Sequence, residues 1–233
     1  MYRTISVFLI ITIFIACNPE LSNGLRVKDL NKDVEMITDK GTIIVRLSDS
    51  TPLHRDNFLR LVKQKYFDSV LFHRVIKNFM IQGGDPKSKH AHPDSVLGDG
   101  GPSYSIPAEF RVSLFHHKGV IAAAREGDDT NPAKASSGSQ FYIVQGKTFT
   151  DTGLDSVEIN RLKGRKIPLE QRQVYKSIGG APHLDQNYTI FGEVISGLNV
   201  VDSIAAVPTS GKPYDRPTHD VRIIKMKLIK RSK

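Results

Sequence analysis

The sequence has a single cysteine and no tryptophan in 233 residues, and its acids fall short of its bases, 24 against 33. One cysteine excludes an intrachain disulfide, so folding needs no oxidising compartment. Long apolar runs are missing too. The longest, Ile5 to Ile15, is broken by Ser6 and Thr12 and is too short to span a bilayer core comfortably. No Lys-Ser/Thr pair follows Gly98, Gly100 and Gly101, which excludes a phosphate loop there. His90 and His92, and the pair His116-His117, have no third ligand at metal-binding spacing. They read as loop histidines in solvent, and no metal or other cofactor is expected. The formal charge of +9 is spread along the chain without aromatic-interleaved basic patches. It reads as solvated surface rather than a nucleic-acid face.

What is present begins with a leader. Arg3 precedes the apolar run, which ends at Ile15-Ala16-Cys17. That layout is an export signal over residues 1–16. A small residue followed by cysteine resembles a bacterial lipoprotein processing site, with Phe14 in place of the more usual leucine. The expectation is a lipidated Cys17, a tether to residue 33, and a domain at 34–230 held on the surface of a membrane in the bacterial envelope.

Within the domain, residues 34–38 and 42–47 read as a hairpin across Asp39-Lys40-Gly41. Thr51-Pro52 reads as a helix start, with Thr51 as N-cap and Leu53, Phe58, Leu61 and Val62 on one face up to about Lys65. Residues 86–101 read as a loop whose glycines permit close backbone approach. Strands are expected at 104–110, 119–124 and 140–144, and a polar loop at 125–136. Thr148 to Pro182 stands out as an insertion, partly helical over 158–178 and split by Gly164 and Pro168. Either an inert decoration or a specificity element fits it. A strand at 189–195, a helix at 200–206 and a strand at 221–229 complete the chain. Short strands with many Gly/Pro turns favour an antiparallel barrel.

The stretch Phe72 to Asp85, FHRVIKNFMIQGGD, carries the chemistry. His73 and Val75 share one parity, Arg74 and Ile76 the other, and a turn at Lys77-Asn78 joins two short strands. Arg74 and Gln82 would then project over an apolar patch formed by Phe79 and Met80. A cation and an amide beside an aromatic floor suit a peptide carbonyl next to a ring. The ordinary alternatives are a surface ion pair for Arg74 and plain core for Phe79 and Leu184.

That stretch resembles the central motif of the cyclophilin-type peptidyl-prolyl cis-trans isomerases. Ser137-Gly-Ser-Gln-Phe-Tyr-Ile143 is similar to a second motif of the family. Leu184-Asp185 followed by Tyr188-Thr-Ile-Phe-Gly-Glu-Val194 is similar to a third, and the three occur in the family's order over roughly 34–229. The resemblance implies a mainly β fold: a closed eight-stranded antiparallel barrel with a packed interior, capped by two helices and with its site outside. It implies a monomer that isomerises Xaa-Pro bonds in proline-containing segments, here of exported proteins. Arg74 stands at the position of the catalytic arginine, with Phe79 and Gln82 in the catalytic set. Met80, Tyr142 and Leu184 join Phe79 in the proline pocket, and Gly98, Ala124 and Gln140 map to the groove. Three further positions depart from the familiar pattern: Arg125 for an asparagine, His183 for a tryptophan and Tyr188 for a histidine. A non-catalytic peptide-binding module on the same fold is the alternative.

Overall fold

The computed structural model describes residues 24–231; the leader and Cys17 lie outside the described residues. Its strands are β1 (Lys32–Thr38), β2 (Gly41–Leu47), β3 (Arg74–Ile76), β4 (Met80–Gly83), β5 (Ser105–Ile106), β6 (Val120–Ala123), β7 (Ser136–Ser137), β8 (Phe141–Val144), β9 (Ile190–Ser196) and β10 (Ile223–Lys230). Its helices are α1 (Pro52–Lys63), α2 (Asp151–Asn160), α3 (Leu169–Ser177) and α4 (Leu198–Ala205). Eight strands form one antiparallel sheet in the order β10-β1-β2-β9-β6-β8-β4-β3, while β5 and β7 pair separately.

The closed barrel expected from the sequence is not formed; the sheet is an open half-barrel. Its edges, β10 and β3, do not pair as strands. The backbone before β3 meets only the start of β10 and the residues just ahead of it, through Ser69 N–H to Ile223 O (2.9 Å), Ile223 N–H to Val70 O (2.8 Å) and Phe72 N–H to Val221 O (2.9 Å). Beyond that point a loop takes the free edge of β3, with Val75 N–H donating to Asp215 O at 2.9 Å. An edge strand whose donors meet a loop has none left for another strand.

The concave face encloses the main core. Phe58 of α1 lies 4.9 Å from Phe67, 5.5 Å from Phe141 and 5.2 Å from Phe191, ring centre to ring centre. The folded domain starts earlier than residue 34: Leu25 is fully buried in this core and β1 opens at Lys32. The predicted insertion does fold as two helices, α2 and α3, over a small core of Leu154, Leu162, Ile167 and Tyr175. With them the helices among the described residues number four, not two.

Helix α1 begins at Pro52, where its fixed φ suits the first turn. Thr51 holds the N-cap position, yet its side chain makes no capping bond. The buried carboxylate of Glu109 takes that role, accepting from Leu53 N–H (3.2 Å) and His54 N–H (3.0 Å). It also accepts from His54 Nδ1 at 2.7 Å, which leaves Nε2 to accept from the Ser136 hydroxyl at 2.9 Å. Burial holds His54 below its ordinary pKa against the pull of Glu109, so this is a neutral hydrogen bond rather than an ion pair. Glu109→Ala would strand buried donors on both the helix and the ring. We expect a loss of about 2–4 kcal/mol in urea unfolding, with Glu109→Gln losing less; a loss below about 0.5 kcal/mol would refute this capping role.

Candidate active site

The hairpin of β3 and β4 places Arg74 opposite Gln82, Val75 opposite Ile81 and Ile76 opposite Met80. The next pairings set Gln82 against Tyr142 on β8, and Tyr142 against Ala122 on β6. Cross-strand partners share a face, so Arg74, Gln82, Tyr142 and Ala122 form one row on the outside of the sheet. Val75, Ile81, Ile143 and Ile121 occupy the other parity and enter the main core. The outer face carries its own apolar cluster, including Met80, Tyr142, Leu184 and Ile190, with Phe79, Ala124 and Tyr188 packed against it.

Above this floor lies a cavity of about 350 Å³. Ten of the twelve residues named from sequence line it: Arg74, Phe79, Met80, Gln82, Gly98, Ala124, Arg125, Tyr142, Leu184 and Tyr188. Gln140 stands one layer behind. Its Nε2 donates to Gly98 O and Gly100 O (both 2.8 Å), and its Oε1 accepts from Gln82 Nε2 at 3.1 Å. Gln82 Oε1 in turn accepts from Arg74 Nη1 at 3.4 Å. His183 sits at the back of the wall, its ring 5.4 Å from that of Phe79.

The wall of residues 97–99 is set by Asp85, the last residue of the central motif. Its carboxylate accepts from Lys87 N–H (2.8 Å), Gly98 N–H (2.6 Å) and Gly100 N–H (3.3 Å). A Cβ at Gly100 would lie 1.9 Å from Asp85 Oδ1, so the approach requires glycine. Opposite, Arg125 lays its guanidinium 4.5 Å over the Tyr188 ring and donates to Asn187 O at 2.8 Å. The Tyr188 ring meets Tyr142 edge-on at 5.9 Å.

Three parts of the site escape the sequence reading. First, Pro213 and Tyr214 close the side near Arg74, and Asp215 Oδ2 lies 3.8 Å from Arg74 Nε. Second, His116 is fully buried, not solvent-facing. The Tyr142 hydroxyl donates to its Nε2 (2.9 Å), its Nδ1 donates to Asp185 Oδ1 (2.9 Å), and Asp185 Oδ2 accepts from the Tyr175 hydroxyl (2.7 Å). Burial pushes both tyrosines up, so they stay protonated donors. Third, His73 is buried against the cavity with neither ring nitrogen hydrogen-bonded. Among the described residues, no three His, Cys, Asp or Glu side chains converge as a metal site.

Comparison with known proteins gives one answer. The sequence model described as "Cyclophilin type peptidyl-prolyl cis-trans isomerase/CLD" matches residues 33–228. A protein of Staphylococcus haemolyticus, provisionally named a peptidyl-prolyl cis-trans isomerase, is 34% identical over 206 residues, covering 88% of this chain and 94% of its own. A Staphylococcus aureus protein with the same provisional name is 35% identical over 202 residues, covering 83% and 93%. The crystal structure of a Cryptosporidium parvum cyclophilin-type isomerase superposes with a TM-score of 0.62 at 24% identity, over 86% of this chain and 99% of that one. A second structure of that protein, obtained in the presence of the dipeptide Ala-Pro, gives 0.60.

The site carries a pH signature. Burial lowers His73 and His183 from 6.5 to about 4. As pH falls, the unfolded chain takes up these protons first, so stability is full above about 6.5 and lost progressively towards about 4. Urea midpoints measured across this window should fall, and His73→Leu should flatten the slope. A slope unchanged by that substitution would exclude His73 as a contributor.

Proposed function

The chain belongs to the cyclophilin-type peptidyl-prolyl cis-trans isomerase family, and we propose that the pocket beneath Arg74 is its catalytic site and that its clients are exported proteins. The observation that carries the reading is the line Arg74–Gln82–Gln140 held over an apolar, proline-sized floor. The Ala-Pro dipeptide present with the Cryptosporidium parvum relative supports a proline-containing ligand here.

Xaa-Pro isomerisation breaks no bond. It twists the C–N bond of the amide against a resonance barrier of about 18–20 kcal/mol. In the twisted state the carbonyl no longer draws on the nitrogen lone pair, and that pair localises on the prolyl nitrogen. A cation that meets the twisted amide better than either planar form lowers the barrier by that difference. Phe79, Met80, Tyr142 and Leu184 hold the proline ring by burial. Arg74 supplies N–H donors from a planar, always charged fork, directed to the prolyl carbonyl and towards the nitrogen. Gln82 and the ion pair with Asp215 hold that fork in one orientation. Gly98 and Ala124 flank the backbone of the bound segment, with Gln140 bracing the first of them. Arg125 and Tyr188 form a stacked side wall, and His183 supports Phe79 from outside.

The exported setting rests on the leader. Arg3 and the apolar run precede Ala16-Cys17, so a lipid on Cys17 would hold the domain at a membrane surface. Among the described residues no helix is long and apolar enough to cross one. Cys17→Ser should move the protein from the membrane to the soluble fraction, and unchanged fractionation would refute the anchor. Arg74→Ala should lower kcat/KM on an Ala-Pro peptide by about 10²–10³-fold with an unchanged circular dichroism spectrum. Near-wild-type turnover in that variant would refute the mechanism, and no turnover by a folded wild-type protein would make the domain a binding module.

A further inference from the structure

Next to the proline pocket runs a second groove, of about 450 Å³, which shares Arg125, Leu184 and Tyr188 with it. Its outer wall is the turn between α2 and α3, the part of the insertion nearest the pocket. Five cations line the groove: Arg125, Lys134, Arg161, Lys163 and Arg165. Its two acids offer little neutralisation. The Asp185 carboxylate is used inside the fold by His116 and Tyr175. Asp128 is shared between Arg125 (2.7 Å) and Lys134 (3.6 Å). Arg161 and Lys163 have no acidic partner within ion-pair distance among the described residues, and both are exposed.

A basic stretch on a surface is ordinarily just solvated. Two features distinguish this one. It is a concavity continuous with a peptide site, and the insertion that carries it is fastened to the floor of that site. Tyr175 of α3 and Arg165 of the turn both bond Asp185, at 2.7 Å to its carboxylate and 2.7 Å to its carbonyl. The Arg172 guanidinium clamps α3 to α2 through Glu158 (2.9 Å) and Asp155 (3.0 Å). The charge of Arg161 also acts at His183: burial first, and then this cation, keep that imidazole neutral. The opposite flank of the proline pocket is different. There a groove carries Glu126 and Asp99, the latter paired with Lys87 at 2.9 Å, and Arg125 is its one lining cation.

We infer that the basic groove is a subsite for an acidic side chain flanking the proline, so that this protein prefers Xaa-Pro segments with Asp or Glu on one side. The inference rests on the isomerase reading and adds a substrate class to it. A carboxylate there would meet Arg161 and Lys163, which lack acidic partners. On the other flank it would meet Glu126, with Asp99 already paired to Lys87.

The test uses proline peptides with Glu, Gln or Lys placed before or after the proline, assayed on the protein and on Arg161→Gln/Lys163→Asn. Asparagine tolerates the left-handed backbone at position 163. Glu on one flank should raise kcat/KM about three-fold over Gln at low salt, and Lys should lower it. High salt should erase the preference, and the double variant should bring the Glu/Gln ratio close to one. Equal rates for Glu and Gln on both flanks would overturn the inference while turnover of the Gln peptide still upheld the isomerase. So would a preference that survives in the double variant. If no peptide turns over, the isomerase reading fails instead, and titration of the Glu and Gln peptides still reads the groove: equal affinities would overturn it.

Discussion

The period-two geometry of the antiparallel sheet decides which side chains meet the core and which meet the pocket. Strands β3, β4, β8 and β6 each give one parity to the core and the other to the site. Val75, Ile81, Ile143 and Ile121 pack inward, and that fixes Arg74, Gln82, Tyr142 and Ala122 in a row outward. A slip of one residue would put a guanidinium in the core and isoleucines in the pocket. Core stability therefore protects the register of the outward row. The outward row is built on strands, and the wall around it is carried largely by loops.

Behind the row, Asp185 joins the pocket floor to the insertion. It directly follows Leu184 of the pocket and holds both His116, which supports the Tyr142 hydroxyl, and Tyr175 of the insertion. A buried carboxylate is costly unless its acceptors are filled. Here they are filled by His116 N–H and Nδ1 and by a tyrosine hydroxyl. The insertion is thus tied to the pocket floor through a satisfied polar chain.

Much of this was legible in the sequence, for physical reasons. Alternation around Arg74 and the break at Lys77-Asn78 gave the hairpin, and Asn78 does take a positive φ of 63° there. Gly164 and Pro168 marked the split between α2 and α3. What escaped depends on partners distant in the chain. His116 looks like any loop histidine until Asp185 and Tyr142 surround it. Glu109 caps α1 from 56 residues beyond Leu53, where no local pattern points to it, while Thr51 looked sufficient. The loop carrying Pro213, Tyr214 and Asp215 has no periodicity, so neither its place beside Arg74 nor its occupation of the β3 edge could be read in advance. That occupation also left the predicted barrel open.

We propose that the Arg74 fork favours the twisted amide rather than merely holding the peptide. Two-dimensional exchange NMR on an Ala-Pro peptide tests it most directly, because it reads binding and cis–trans exchange in one sample. Arg74→Lys keeps the charge and loses the planar fork. We expect similar peptide affinity with exchange on the enzyme slowed by at least about tenfold. Exchange as fast in the lysine variant as in the wild type, or slowed only in proportion to weaker binding, would contradict it.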